Sequence, residues 1–340
     1  MLSDQIYMQR CLALARHGAG RTSPNPMVGA VVVHRGKVIG EGYHRRYGSE
    51  HAEVMAIKSV GDQSLLKEST LYVNLEPCSH YGQTPPCAAL IIDKKIPKTV
   101  IGCQDPFPEV SGRGIAMLRA GGVEVVSGIL EDEAIELNRE FITFHTLKRP
   151  YIYLKWAQSS DGFIDRNRSS FKEQPLVLSS ERSLQAVHRK RAEAAAIMVG
   201  TRTAILDNPA LTVRRWAGTS PLRITLDRHL RIPPTHRILD GSLPTIVFTE
   251  QPSASKPNLE FVQIEFGRNT LAQVLDNLYQ RRLLSLIVEG GASLLESFMS
   301  EGLWDEIQVE TTPLRLGDGV RGPSLKCETN INIRTWAKGI

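Results

Sequence analysis

The chain is 340 residues long, with 41 Lys and Arg against 36 Asp and Glu, 41% hydrophobic residues and five cysteines. That length accommodates two domains, each able to bury its own core. No apolar run approaches the ~18 residues of a transmembrane helix, and no basic segment leads into an apolar stretch at the start, so the composition predicts neither a membrane protein nor a secretory signal.

A first helix is predicted over residues 3–17, from apolar Ile6, Leu12, Leu14 and Ala15 with Ser3 or Asp4 as N-cap. Residues 28–33 and 37–43 read as strands joined by a tight turn at Arg35-Gly36. A helix opens at His51 and runs to about residue 60. Residues 70–75 form a short buried strand that stops at Glu76-Pro77-Cys78, where proline ends pairing. Residues 88–94 are helical, with Cys87 at the start. Strands at 99–102 and 123–126 surround a helix near 114–120. Strands alternating with helices indicate a layered α/β domain. The polar, basic segment 143–150 ends in proline and is the expected boundary, dividing the chain into 1–146 and 147–340.

The first half carries its chemistry in His51-Ala52-Glu53, Pro77-Cys78 and Cys87. One imidazole and two thiolates fill three of the four positions that tetrahedral zinc prefers, leaving the last for water whose pKa the ion lowers to about 7. Glu53 is placed to move protons on that water without binding the metal. The pattern is close to the H-x-E then P-C-x-x-C motif of zinc nucleobase deaminases. It departs in one respect, because eight residues, Ser79 to Pro86, separate the two cysteines here. Thiolates favour helix N-termini, and both cysteines fit that placement. A structural zinc site would recruit a fourth protein ligand, for which His80 and His44 are the nearby alternatives.

A second alternation follows the boundary. Strands are expected at 151–157, 195–200, 222–226, 245–248, 284–288 and 306–311, with helices at 180–194, 271–281 and 294–301. Residues 253–257 read as a surface loop. No G-x-G-x-x-G opens a helix after a strand, so a Rossmann dinucleotide site is not supported. Glu289-Gly290-Gly291-Ala292-Ser293 is instead a strand end, two glycines and a helix start, suited to phosphate or to a plain tight turn. The run His188-Arg189-Lys190-Arg191 reads as a solvated helix face from which Arg191 alone turns inward.

The halves differ in charge. Residues 1–146 hold 15 Lys and Arg against 16 Asp and Glu, and residues 147–340 hold 26 against 20. A first half without net positive charge is a poor partner for nucleic acid, whose binding is dominated by phosphate neutralisation. The basic second half suits phosphorylated small molecules. Cys11, Cys103 and Cys327 lie far apart and outside the motif, as in a reducing cytoplasm.

Taken together, Ser23-Pro24-Asn25-Pro26-Met27-Val28-Gly29, His51-Ala52-Glu53 and the loop from Pro77-Cys78-Ser79-His80 through Gln83-Thr84-Pro85-Pro86-Cys87 resemble the bifunctional deaminase–reductase family of riboflavin biosynthesis. The extended loop ending in Thr-Pro-Pro-Cys separates that family from cytidine and tRNA-adenosine deaminases. In the second half Lys155-Trp156-Ala157-Gln158-Ser159-Ser160-Asp161-Gly162, Val199-Gly200-Thr201-Arg202-Thr203, Asp207 to Arg214 and the Glu289-Gly290-Gly291 turn are similar to the family's reductase domain. The resemblance implies an α/β protein: an N-terminal cytidine-deaminase-like α/β/α domain with zinc on His51, Cys78 and Cys87, Glu53 as proton shuttle, and Asn25, His44 and His80 near a pyrimidine. It also implies a C-terminal dihydrofolate-reductase-like α/β domain. There NADPH would meet Ala157, Thr203, Asp207, Gly290, Gly291, Ala292 and Ser293, and substrate would meet Lys155, Arg191, Leu211, Arg214 and Glu289. The expected partner is a phosphorylated pyrimidine, with no nucleic acid and no membrane, acted on by a cytoplasmic homo-oligomer. Gln83 and Phe107 depart from the family, which has Arg or Lys and Asn at those positions, as do Pro175 and Val177 within 171–177. The alternatives are a tRNA or nucleoside deaminase with an accessory domain, and a nonenzymatic binding module stabilised by zinc.

Overall fold

Strand β1 (Gly29–His34) is apolar on both faces and organises the first half of the chain. Ala30 and Val32 are buried on one side and Val31 and Val33 on the other, so helices must cover both. The computed structural model describes residues 2–79, 85–107, 111–324 and 333–335, and separates into Met1–Lys148 and Arg149–Ile340.

In the first unit, α1 (Leu2–Ala15) covers the Val31 face through Met8, Cys11 and Leu14. Helices α2 (Ala52–Lys58), α3 (Cys87–Asp93) and α4 (Arg113–Ala120) cover the other face through Ala56, Ile57, Ala88, Ile91, Ile115 and Leu118. Strand β1 pairs antiparallel with β2 (Lys37–Tyr43) and β3 (Ser69–Leu75). Strands β4 (Lys98–Cys103) and β5 (Glu124–Ser127) then add in parallel, giving the order β2-β1-β3-β4-β5. The result is the layered α/β/α arrangement expected from the alternation.

Helices α5 (Glu131–Leu137) and α6 (Arg139–Leu147) close this unit, and sequence reading misses both. The acidic run Glu131-Asp132-Glu133 hides α5, whose one buried residue is Ala134. The expected boundary segment is half helix: Phe141 and Phe144, three apart, bury one face of α6 beneath its polar residues.

The second unit is a parallel sheet of eight strands in the order β11-β10-β9-β8-β12-β6-β13-β15. These are β6 (Tyr151–Gln158), β8 (Ala196–Val199), β9 (Leu222–Leu226), β10 (Thr245–Thr249), β11 (Leu259–Gln263), β12 (Ser285–Glu289), β13 (Glu306–Thr311) and β15 (Ile333–Thr335). A two-stranded antiparallel sheet joins β7 (Phe163–Asp165) to β14 (Val320–Arg321). Helices α9 (Thr270–Gln280) and α10 (Ala292–Ser300) cover one face through Val274, Leu278, Leu295 and Phe298. The other face buries Tyr151, Tyr153, Ile197 and Ile287 with Ala204 of α8 (Thr201–Asp207), and α7 (Glu181–Glu193) follows the long loop after β7. Helix α8 and edge strand β11 go unpredicted because each buries a single residue, Ala204 and Leu259, too few to set a period. No helix among the described residues is long and apolar enough to cross a membrane.

One contact decides where α2 lies. A Cβ on Gly42 would sit 2.4 Å from the Ala56 nitrogen and 2.6 Å from the Ala52 carbonyl oxygen, and one on Gly40 would lie 2.5 Å from the Ala56 oxygen. Backbone cannot yield there as a side chain can, so β2 and α2 touch directly because both positions are glycine. Gly42→Ala is therefore expected to cost about 1–3 kcal/mol in chemical denaturation and to lower zinc content, since α2 carries His51 and Glu53. Wild-type stability with full zinc would contradict this packing.

Candidate active sites

His51 is the N-cap of α2, with extended backbone and no capping bond from its ring, so the imidazole is free to turn inward. Cys87 is the first residue of α3, after Pro86, and Cys78 follows the end of β3. The structure brings the three together: their ligand atoms all lie within 4.8 Å of one another. His51 Nδ1 is 3.6 Å from Cys78 Sγ and 3.3 Å from Cys87 Sγ. A tetrahedral zinc with bonds of about 2.0–2.3 Å keeps its ligands roughly 3.5–3.8 Å apart, so the donor set and its spacing fit that ion. Among the described residues no fourth His, Cys, Asp or Glu joins the cluster.

The three side chains polarise one another. The Cys78 thiol is drawn down to about 4, first by a hydrogen bond from Cys87 and then by His51. The His51 ring rises to about 9 through its bond to Cys78, and sharing a proton with Cys78 pushes Cys87 up. The Cys87 backbone N–H also donates to Cys78 Sγ at 3.3 Å. Glu53 is 3% exposed, and burial, with the Cys78 charge behind it, pushes its carboxyl up to about 7. A carboxyl near neutrality can both take and return a proton.

His51, Glu53 and Cys78 line a cavity of about 550 Å³ with Asn25, His44, Glu76, Asp105, Phe107, Arg113, Phe141 and His145. Asn25 Nδ2 lies 3.1 Å from His44 Nε2, and His44 Nδ1 lies 3.0 Å from the Glu50 carbonyl oxygen. With Asn25 donating to Nε2, the ring proton belongs on Nδ1, where it donates to Glu50. Burial holds His44 below its ordinary value, which keeps this neutral form. Both ring nitrogens are thus engaged, and His44 stands beside His51 with ring centres 5.7 Å apart instead of joining the cluster. His80 and Gln83 lie outside the described residues.

Three residues that sequence reading passed over hold this site. Asn74, fully buried, accepts from Gly29 N–H at 2.7 Å and donates to the Met27 carbonyl at 3.1 Å. Asn138 closes a two-bond clamp on Met27, so the segment bearing Asn25 is pinned from both sides. Glu76 accepts from three backbone N–H groups, those of Asp105, Gly112 and Ile115, at 3.0–3.2 Å. The one hint for Glu76 in the sequence is an acidic residue at the end of a buried strand.

In the second unit the expected residues Lys155 and Glu289 lie near the C-terminal ends of central strands, where parallel sheets usually bind ligands. Glu289 pairs in register with Lys155 across β12 and β6. Arg191 donates to both Glu289 oxygens, at 2.6 and 3.3 Å. Burial would raise the Glu289 carboxyl, but Arg191 and Lys155 outweigh it and hold it below its ordinary value. Gly290 and Gly291 take φ of +75° and +58°, and a Cβ on Gly290 would strike Thr203 at 2.7 Å, so Thr203 lies directly against this turn at the start of α10. Asp207 is paired with Arg168, a buried arginine not singled out in the sequence, which also bonds Asp165 and the Leu206 carbonyl. Arg214 places its guanidinium on Thr212 Oγ1 while its backbone N–H donates to His188 Nδ1. His188 is itself buried and Lys190 lies over the Tyr153 ring, so α7 turns more than Arg191 inward. Leu211 packs in the core at φ +53°, leaving its backbone for any contact with substrate.

The first unit matches the cytidine and deoxycytidylate deaminase zinc-binding region over residues 1–103, and the second matches the RibD C-terminal domain over residues 150–334. Fold and site together define a zinc-region deaminase joined to a reductase. The chain is 43% identical over 323 residues to riboflavin biosynthesis protein RibD of Aquifex aeolicus, covering 93% of this chain and 89% of the relative. It is 35% identical to the Escherichia coli protein of that name, covering 94% and 90%. Among solved structures, a Thermotoga maritima diaminohydroxyphosphoribosylaminopyrimidine deaminase/5-amino-6-(5-phosphoribosylamino)uracil reductase superposes with a TM-score of 0.85 at 38% identity, covering 94% of this chain and 89% of that one. RibD of Acinetobacter baumannii gives 0.86 at 34%, covering 97% and 92%. The chain belongs to the RibD family of bifunctional deaminase–reductases in riboflavin biosynthesis.

Removing the Glu76 carboxylate would take away the acceptor of three N–H groups close to Cys78, the Ile115 one buried and the other two partly so. Glu76→Ala is expected to lose about 3 kcal/mol or more and to bind zinc less tightly in chelator competition. An unchanged midpoint and unchanged zinc affinity would contradict the role given to Glu76.

Proposed function

We propose that the first unit deaminates the 2-amino group of 2,5-diamino-6-(5-phosphoribosylamino)pyrimidin-4(3H)-one. The second unit then reduces the phosphoribosyl group with NADPH, giving 5-amino-6-(5-phosphoribitylamino)uracil. The observation that carries the first step is the three-donor cluster with Glu53 buried beside it. The division of labour follows the two units, with the deaminase before the 146/147 boundary region and the reductase after it.

His51, Cys78 and Cys87 would hold zinc, which supplies a water activated for attack at neutral pH. Glu53 takes one proton from the attacking water and gives it to the ring nitrogen, then carries the second proton from the added hydroxyl to the leaving amino group, which departs as ammonia. His44, kept neutral by Asn25 and Glu50, offers polar contact to the pyrimidine without adding charge. His80 is assigned to the same ring on resemblance alone.

In the second unit the Gly290-Gly291 turn, Ala292 and Ser293 at the start of α10, Thr203, Ala157 and Asp207 would receive NADPH. The turn fits because its two glycines take a left-handed backbone that leads directly into the start of α10. NADPH supplies hydride to C1 of the opened ribose. Lys155 and Glu289, side by side on adjacent strands, would contact the substrate, with Arg191 fixing Glu289 and the Arg214 guanidinium suited to its phosphate. The backbone at Leu211 completes the substrate wall. A small phosphorylated pyrimidine agrees with the net −1 of residues 1–146, which disfavours nucleic acid.

Glu53→Gln keeps the three ligands and removes the proton carrier. It should retain zinc while the ammonia-release rate falls by about 10²–10⁴, and NADPH oxidation on the already deaminated intermediate should continue. Wild-type ammonia release from this variant would remove Glu53 from the mechanism.

A further inference from the structure

The deaminase cavity, on the function proposed above, must hold a phosphate as well as a pyrimidine, and a phosphate calls for a cation. The loop between the two cysteines, Ser79-His80-Tyr81-Gly82-Gln83-Thr84-Pro85-Pro86, contains no Lys or Arg. Among the described residues of the cavity wall, Arg113 is the one Lys or Arg. We propose that Arg113 binds the substrate phosphate in the deaminase cavity and so determines its preference for the phosphorylated compound.

Four observations converge on this residue. Its backbone is anchored close to the cluster: Gly112 and Ile115, on either side, donate to Glu76 at 3.0 and 3.1 Å, and Glu76 is two residues before Cys78. Gly114 presses on the same strand exit, where a Cβ would fall 2.1 Å from the Pro77 carbonyl oxygen. Its side chain is uncommitted, since among the described residues the guanidinium makes no hydrogen bond and no ion pair, whereas Arg10, Arg35 and Arg139 of the same unit are each paired with a glutamate.

The cavity also runs from a buried part to an open one, since Glu53 beside the cluster is 3% exposed and Arg113 is solvent-exposed. A phosphate held at the open guanidinium leaves the aminopyrimidine to lie inward, toward Glu53 and the cluster. The fourth observation is size. About 550 Å³ lies within the range of pockets that enclose a whole small ligand and leaves space beyond a pyrimidine ring for the sugar phosphate. A planar guanidinium offers two parallel donors to two phosphate oxygens.

The test uses the full-length protein loaded with zinc, and compares wild type, Arg113→Ala and Arg113→Lys on two substrates. One is the phosphorylated diaminopyrimidine and the other is the same compound dephosphorylated by alkaline phosphatase. Arg113→Ala should raise KM for the phosphorylated substrate by about 10- to 100-fold, change its kcat by less than about threefold, and leave KM for the dephosphorylated compound unchanged. Arg113→Lys should fall between. An equal rise for both substrates, or none for either, overturns the assignment. Zinc content reports folding, and if Arg113→Ala loses metal then Arg113→Gln, which keeps most of the side chain, decides by the same ratio. Wild type that releases ammonia from neither compound would overturn the proposed function, and the assignment with it. Wild type active on the phosphorylated compound and matched by Arg113→Ala would overturn the assignment alone.

Discussion

Three side chains separated by as many as 36 positions must place one nitrogen and two sulfurs within 4.8 Å, and the first unit is built around that demand. His51 comes from the start of one helix, Cys87 from the start of another, and Cys78 from the strand exit between them. Two stand at helix starts and the third just past a strand end, so what matters is how those elements meet. Helix α2 meets β2 through bare glycine backbone, and the strand exit meets α4 through Gly114. Small residues at these contacts convert sheet packing into ligand spacing.

Buried polar groups do the remaining positioning. Asn74, Asn138 and Glu76 together satisfy six backbone groups around the cavity. A buried amide or carboxylate is costly to desolvate and is tolerated where its bonds are complete, so such residues hold loops in one conformation. The second unit uses the same device with charge. Arg191 holds Glu289 ionised at the C-terminal end of β12, and Arg168 pairs with Asp207 at the end of α8, opposing the burial that raises that carboxyl. The chemistry of both units therefore stands on rigid strand ends stiffened by pairs from distant parts of the chain.

The ligand cluster and Glu53 are legible in the sequence because metal chemistry admits few residue types and demands them together. The alternation of strands and helices is legible for the same kind of reason, since buried strands such as Ala30 to Val33 and Leu286 to Val288 are continuous apolar runs. What escapes reading depends on partners far along the chain. Asn138 is 111 residues from Met27, and nothing local distinguishes it from a surface asparagine. His188 sits in a basic run that reads as a solvated face, yet it is buried as the acceptor for Arg214. Helices α5, α6 and α8 are short, and their few buried residues leave little periodicity to detect. The resemblance places Leu211 at the substrate, whereas the structure puts its side chain in the core.

The central claim is that His51, Cys78 and Cys87 hold a zinc ion and leave it one position for water. X-ray absorption at the zinc edge of the purified full-length protein measures this directly. The account predicts one zinc per chain with two sulfurs at about 2.3 Å, one imidazole nitrogen at about 2.0–2.1 Å and one further light atom that is not histidine. A shell of four protein ligands, or a zinc shell without two sulfurs, would contradict it.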